Sequence, residues 1–185
     1  MDYCFIIDFE ATEEGEIIEF ACIVINTEQK CIIDTFHHYV KPQTELTQKI
    51  TQLTGIDSKM LSNADTFDTV NQSFQTFFEK YQELSEWEDG PMIITCGDWD
   101  FKYAYDYSCR LWNIENKFRE WCDLKQVFKS IYKKARGMKD MLEFFGLKLE
   151  GKHHRGIDDA KTITQIVLTM INEGLLSSFV VTSKN

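Results

Sequence analysis

Residues 3–8 (YCFIID) and 16–25 (EIIEFACIVI) read as two buried strands, and the TEEGE between them supplies Gly15 for a tight reversal. Residues 31–40 (CIIDTFHHYV) alternate between β-branched or aromatic and polar positions until Lys41-Pro42 ends the run, which predicts a third strand. Short connections make the three an antiparallel meander. The apolar period then changes from 2 to 3.6. It predicts a short helix over residues 45–55, closed by Gly55, and a longer one over about 67–85 that Asp65 or Thr66 caps. PMIITC (91–96) is a compact strand reached through that helix, hence a parallel neighbour of an earlier strand.

Beyond it the pattern predicts a helix over 99–112, a short strand over 120–124, and helices over 124–135, 138–145 and 158–173. SSFVVTS (177–183) is left as an edge strand or a packed tail. The expected fold class is α/β: a mixed central β-sheet, an antiparallel meander plus parallel strands, with helices on both faces. No repeat, low-complexity segment or linker interrupts it, so one domain over residues 1–185 is expected.

With 43% apolar and 14% aromatic residues the chain has the material for a packed core. No apolar run approaches the ~20 residues of a membrane span, and MDYCF does not start a signal peptide. Six cysteines stand singly, without CxxC spacing, as free thiols of a reducing compartment do. An intracellular, cytoplasmic protein is expected, with the nucleus as the alternative. The net charge of −10 argues against gripping nucleic acid over the whole surface, but it is uneven. Residues 1–100 carry 20 acids against 5 Lys or Arg, and residues 101–185 carry 10 against 15. A solvated surface gives such a split, and so does an acidic site beside a basic face.

Asp8 and Glu10 stand two apart at the end of the first strand, so their side chains share a face. Like charges so close repel unless a cation lies between them, and hard oxygen ligands favour Mg²⁺ or Mn²⁺. Alone, such a pair is also what a solvated strand end looks like. Asp98 and Asp100 follow the strand at 91–96, where helix capping is the simpler use of an aspartate. HHRGIDDAK places His154 five residues before Asp159, and capping by Asp158 and Asp159 leaves the histidines unexplained.

Asp-x-Glu on the first strand, an Asp after a later strand and His-x4-Asp at a late helix together resemble the DEDDh 3′-to-5′ exonuclease superfamily, on the RNase H-like fold. DFEAT, EIIEFACIVIN, DTFHHYVKP, LTGI with ADTF, CGDWD and HHRGIDDAKTI are similar to the ERI-type exoribonucleases, over about Phe5 to Gly174. The resemblance implies that Asp8, Glu10, Asp100 and Asp159 are the metal-binding acids and His154 the general base. It favours Asp100 over Asp98, which follows no Trp, and Asp159 over Asp158, which is one short of the family spacing. His153 is given no family role and reads as a surface or supporting residue.

The implied cofactors are two divalent ions, Mg²⁺ or Mn²⁺, roughly 4 Å apart. The implied reaction is hydrolysis at an RNA 3′ end, single-stranded or with a short overhang, releasing 5′-nucleoside monophosphates. The resemblance places Phe9, Ala11, Thr12 and Ile56 near the terminal nucleotide and Trp99 as a stacking platform, although Ile56 and Trp99 are also ordinary core residues by type. Lys129, Lys133, Lys134, Arg136 and Lys139, with Lys152 and Arg155, are a path for phosphates or a solvated face. A DNA-directed or oligoribonucleotide-directed exonuclease of the same superfamily is the nearest rival, since no residue is identifiable as a 2′-hydroxyl contact. An inactive adaptor is expected to lack a ligand, and all five are present. Larger ERI-type members carry an appended nucleic-acid-binding domain that this sequence does not match, so stem-loop recognition is not expected from it.

Overall fold

The computed structural model describes residues 2–88, 90–133 and 137–184. The meander forms as β1 (Tyr3–Ala11), β2 (Ile17–Asn26) and β3 (Cys31–Lys41), followed by α1 (Gln48–Thr54), α2 (Ser58–Leu61), β4 (Asp65–Thr66) and α3 (Phe67–Leu84). β5 (Met92–Thr95) leads into a π-helical turn (Asp100–Tyr105) continuous with α4 (Asp106–Leu111), then β6 (Glu120–Asp123) and α5 (Leu124–Tyr132). α6 (Met138–Phe145), α7 (Gly156–Asn172) and β7 (Ser183–Lys184) complete the chain. Among the described residues the strands make one mixed sheet in the order β4-β3-β2-β1-β5-β6-β7, with β1 pairing antiparallel to β2 and parallel to β5.

β1 and β2 are central, and both of their faces are covered, which is why their sequences run apolar with little alternation. Phe5, Ile7 and Phe9 face an aromatic layer with Phe20, Phe74, Phe101 and Tyr105, closed by α3 and the π-helical turn. Cys4 and Ile6 point the other way, into a layer with Leu124, Met141, Ile163 and Val167 beneath α5, α6 and α7. Each ring fully buried in the first layer contributes roughly 2–3 kcal/mol.

Several boundaries differ from the sequence pattern. β1 continues past Asp8 to Ala11 because β2 keeps pairing with it, Asp8 opposite Ala21 and Glu10 opposite Glu19. α1 starts at Gln48, since the Thr47 hydroxyl accepts from the Ile50 N–H and caps it there. Thr66 stands at the N-cap of α3 as expected, though its hydroxyl makes no capping hydrogen bond, and with Asp65 it also pairs with the end of β3 as β4. The helix expected over 99–112 opens as a wide π-helical turn that buries Asp100, Phe101, Ala104 and Tyr105 together. α5 ends at Tyr132, where Lys133 turns left-handed (φ 56°); residues 134–136, including Lys134 and Arg136, lie outside the described residues. In the tail, Leu176–Ser178 form a 3-10 turn, Phe179 is buried, the Thr182 N–H donates to the Trp121 carbonyl at 3.1 Å, and Ser183–Lys184 pair with β6. All six cysteines are free thiols, four of them buried. Among the described residues no helix is long and apolar enough to cross a membrane.

Candidate active site

The row that carries Cys4 and Ile6 along β1 continues as Asp8 and Glu10, so the apolar layer under α7 gives way to carboxylates where α7 begins. Asp159, in the first turn of α7, arrives there, and carboxylate oxygens of Asp8, Glu10 and Asp159 lie within 4.8 Å of one another. From β5, Asp100 enters on the other side of β1, and its Oδ1 accepts the Phe9 N–H at 2.9 Å.

Two residues that the sequence pattern left unassigned hold this junction. Glu19, fully buried opposite Glu10, accepts from the N–H groups of Gly156 (2.9 Å) and Ile157 (3.2 Å) at the start of α7, and lies 2.8 Å from His37 Nε2. It satisfies two donors that a helix start leaves orphaned, from another strand. Gly156 permits the approach: a Cβ there would stand 3.1 Å from the Asp8 carbonyl oxygen and 3.2 Å from the Glu19 carboxyl carbon. A charged residue in the middle of EIIEFACIVI was the available signal, since a charge inside a buried strand demands partners.

The histidines belong to the loop before α7. His154 is held left-handed (φ 62°), and its N–H donates to Asp159 Oδ2 at 2.9 Å. His153 Nδ1 lies 3.0 Å from the same oxygen, and the two imidazoles stack with centroids 3.9 Å apart. Partial burial, and then the neighbouring His153, hold His154 below the usual imidazole range, so at neutral pH it is a free base.

The acids show what their crowding costs. Burial first, then the charges of Asp100, Glu10, Asp159 and Glu19, push the Asp8 carboxyl well above the usual carboxylate range. Glu10 is pushed up to about 8 by burial and by Glu19, Asp159 and Asp100. Burial pushes Asp100 up to about 7, against the Phe9 hydrogen bond and the charge of Lys125. Protonation is one relief for such repulsion and a divalent cation is the other. An all-oxygen set of carboxylates fits a hard ion of the Mg²⁺ or Mn²⁺ kind.

Asp98 is exposed and ion-paired with Lys102 at 3.3 Å, and Asp158 accepts from the Lys152 N–H at 3.0 Å. A cavity of about 790 Å³ lies over the acids, with Phe9, Ala11, Thr12, Ile50, Leu53 and Trp99 on its walls. Trp99 is 45% exposed, whereas the Phe9 ring faces the aromatic layer and only its backbone adjoins the site. Ile56 takes the core place that its type also allowed. It is 1% exposed, packed with Ile18, Ile50 and Leu61 after the left-handed Gly55, and the cavity wall at that side is Ile50 and Leu53. A larger cavity, about 870 Å³, lies between α3 and the starts of β5 and β6, lined by Phe78, Trp87, Met92 and Trp121. Among the described residues it gathers no metal-binding cluster.

A model of the RNase T exonuclease family matches residues 5–167. The chain belongs to that exonuclease family. Within it, 3′-5′ exoribonuclease 1 of Homo sapiens is 34% identical over 94% of this chain and 53% of its own length. The chain spans about half the length of the curated relatives it matches. Among solved structures, the nuclease domain of 3′hExo, a DEDDh family member bound to rAMP, is similar with a TM-score of 0.90 and 32% identity, over 100% of this chain and 98% of that one. A 3′-exonuclease recognising the histone mRNA stem-loop matches with a TM-score of 0.90 and 31% identity, over 99% of this chain and 86% of that one. The sheet is thus the RNase H-like sheet of DEDDh exonucleases, a family that uses divalent metals.

Proposed function

We propose that this chain is a 3′-to-5′ exoribonuclease that removes nucleotides one at a time as 5′-monophosphates. The observation that carries the reading is the convergence of Asp8, Glu10 and Asp159 within 4.8 Å, with Asp100 beside them and His154 on the adjoining loop. The names of its relatives, and the rAMP of a neighbouring structure, favour RNA over DNA. Two divalent ions, Mg²⁺ or Mn²⁺, held by Asp8, Glu10, Asp100 and Asp159, would supply Lewis acidity and neutralise charge on the phosphate.

His154, neutral at working pH, takes a proton from the attacking water as its oxygen bonds to phosphorus; the bond to the upstream 3′ oxygen breaks, and that oxygen takes up a proton. Trp99 offers its exposed face to the terminal base, and Ile50 and Leu53 give the cavity an apolar wall beside Ala11 and Thr12. The backbone at Phe9 is committed to Asp100, so it steadies the cage rather than the nucleotide.

The test is incubation of 5′-labelled RNA and matched DNA with Mg²⁺, Mn²⁺ or chelator. Expected is a ladder of single-nucleotide losses from the 3′ end of RNA with release of 5′-monophosphates, abolished by chelator and by Asp8→Asn. Absence of shortening, or shortening that survives Asp8→Asn, refutes the reading.

A further inference from the structure

Resting on that reading, we propose that Lys125 is a substrate-positioning residue that grips the phosphate one step upstream of the bond being cut. Lys125 stands in the first turn of α5, directly after β6, and lines the same cavity as Asp8, Trp99 and Asp100. The sheet order puts β6 beyond β5, so Lys125 approaches from the Asp100 side, while Glu10, Glu19 and the start of α7 occupy the β2 side.

Its ammonium lies over Gly97, where a Cβ would stand 2.9 Å from Nζ. Gly97 (φ 122°) therefore serves two needs, a backbone conformation that suits glycine and space for a cation. The acids nearest in sequence are engaged elsewhere. Asp123 caps α5 by accepting from the Lys125 N–H at 2.9 Å and from Gln126 Nε2 at 3.1 Å, and Asp98 pairs with Lys102. Among the described residues Lys125 makes no salt bridge, whereas Lys49, on the opposite wall, is tied to Glu13 at 2.6 Å. Its charge favours the ionised forms of Asp100 and Cys96 against the burial that disfavours them, as a cation facing the cage must.

The 3′ nucleotide is assigned to the wall made by Ala11, Thr12, Ile50 and Leu53, and the bond to be cut lies over the acids. The strand then continues towards β5 and β6, where its next phosphate meets the Lys125 ammonium on a flexible stem. A lysine there holds a backbone charge without reading a base.

A dinucleotide carries only the phosphodiester that is cut, whereas a trinucleotide adds the upstream one. The measurement is the ratio of kcat/KM for trinucleotide over dinucleotide RNA in wild type, Lys125→Gln and Lys125→Arg. Expected is a roughly tenfold fall of the ratio in Lys125→Gln, recovery of most of it in Lys125→Arg, and a salt slope on the trinucleotide shallower by about 0.7 in Lys125→Gln. An unchanged ratio, or an Arg variant as poor as the Gln one, overturns the proposal. Binding of both oligonucleotides, with Mn²⁺, to His154→Ala and to His154→Ala/Lys125→Gln separates the two readings. If wild type cleaves nothing, the exonuclease reading fails, and the trinucleotide-to-dinucleotide affinity ratio still decides Lys125: a roughly tenfold loss upholds it and no loss overturns it.

Discussion

Removing divalent metal should make the folded protein less stable as pH rises from about 5 to 7, the reverse of ordinary acid denaturation. Glu10 sits at about 8 against its usual 4.5, and Asp100 at about 7 against 3.8. Near pH 6 the folded, metal-free protein keeps protons that the unfolded chain has released. Stability from a raised carboxyl is complete below about 4 and is lost as pH climbs through the folded value. Each proton of difference lowers stability by about 1.4 kcal/mol per pH unit, which for a chain of this size is a fall of roughly 3–6 °C in Tm. His38 and His154, both held below the imidazole range, act in the opposite sense over part of that window. The informative quantity is therefore the difference between wild type and Glu10→Gln/Asp100→Asn, melted in chelator at half-unit steps of pH. Wild type should lose Tm relative to the double variant as pH rises, saturating Mn²⁺ should abolish the loss, and Mn²⁺ binding should release protons. Parallel Tm profiles for the two proteins, or proton-neutral Mn²⁺ binding, would refute the electrostatic account of the cage.

Replacing His154 by Ala should lower kcat by about 10²–10⁴-fold with Mn²⁺ affinity retained, measured by single-turnover cleavage and calorimetric titration. Glu19→Ala leaves the Gly156 and Ile157 N–H groups and His37 without their acceptor, so chemical denaturation should show a loss of about 2–4 kcal/mol, and cleavage should fall further than stability alone explains. Trp99→Ala, at a 45%-exposed position, should leave Tm within about 2 °C and raise KM roughly tenfold if the ring stacks on a base.

Much of the architecture was legible because β1 and β2 are compact apolar runs bounded by turn residues and the amphipathic helices keep a simple period. The acids were legible because they interrupt those patterns at element ends. What was not legible depended on contacts across the sheet. Glu19 looks like one more polar break in an apolar strand until α7 is seen to start on it. Ile56 shares a loop with the cavity-lining α1, yet the left-handed Gly55 turns it into the core. Asp65 and Thr66 have capping chemistry, and only the free end of β3 makes them a strand. The π-helical turn has no signature in DFKYAY, whose width follows from Asp100 bonding to β1 while Phe101 and Tyr105 bury beside it.

The alternation along β1 has a further consequence. Asp8 and Glu10 share a row with Ile6, and Phe9 points to the opposite layer. If β1 paired with β2 one residue out of step, both carboxylates would enter the ring layer of Phe20, Phe74 and Phe101, and Phe9 would face the start of α7. Charges without partners there carry a desolvation cost far above any gain from mispaired backbone. The acids that crowd the cage thus also proofread the assembly of the sheet that holds them.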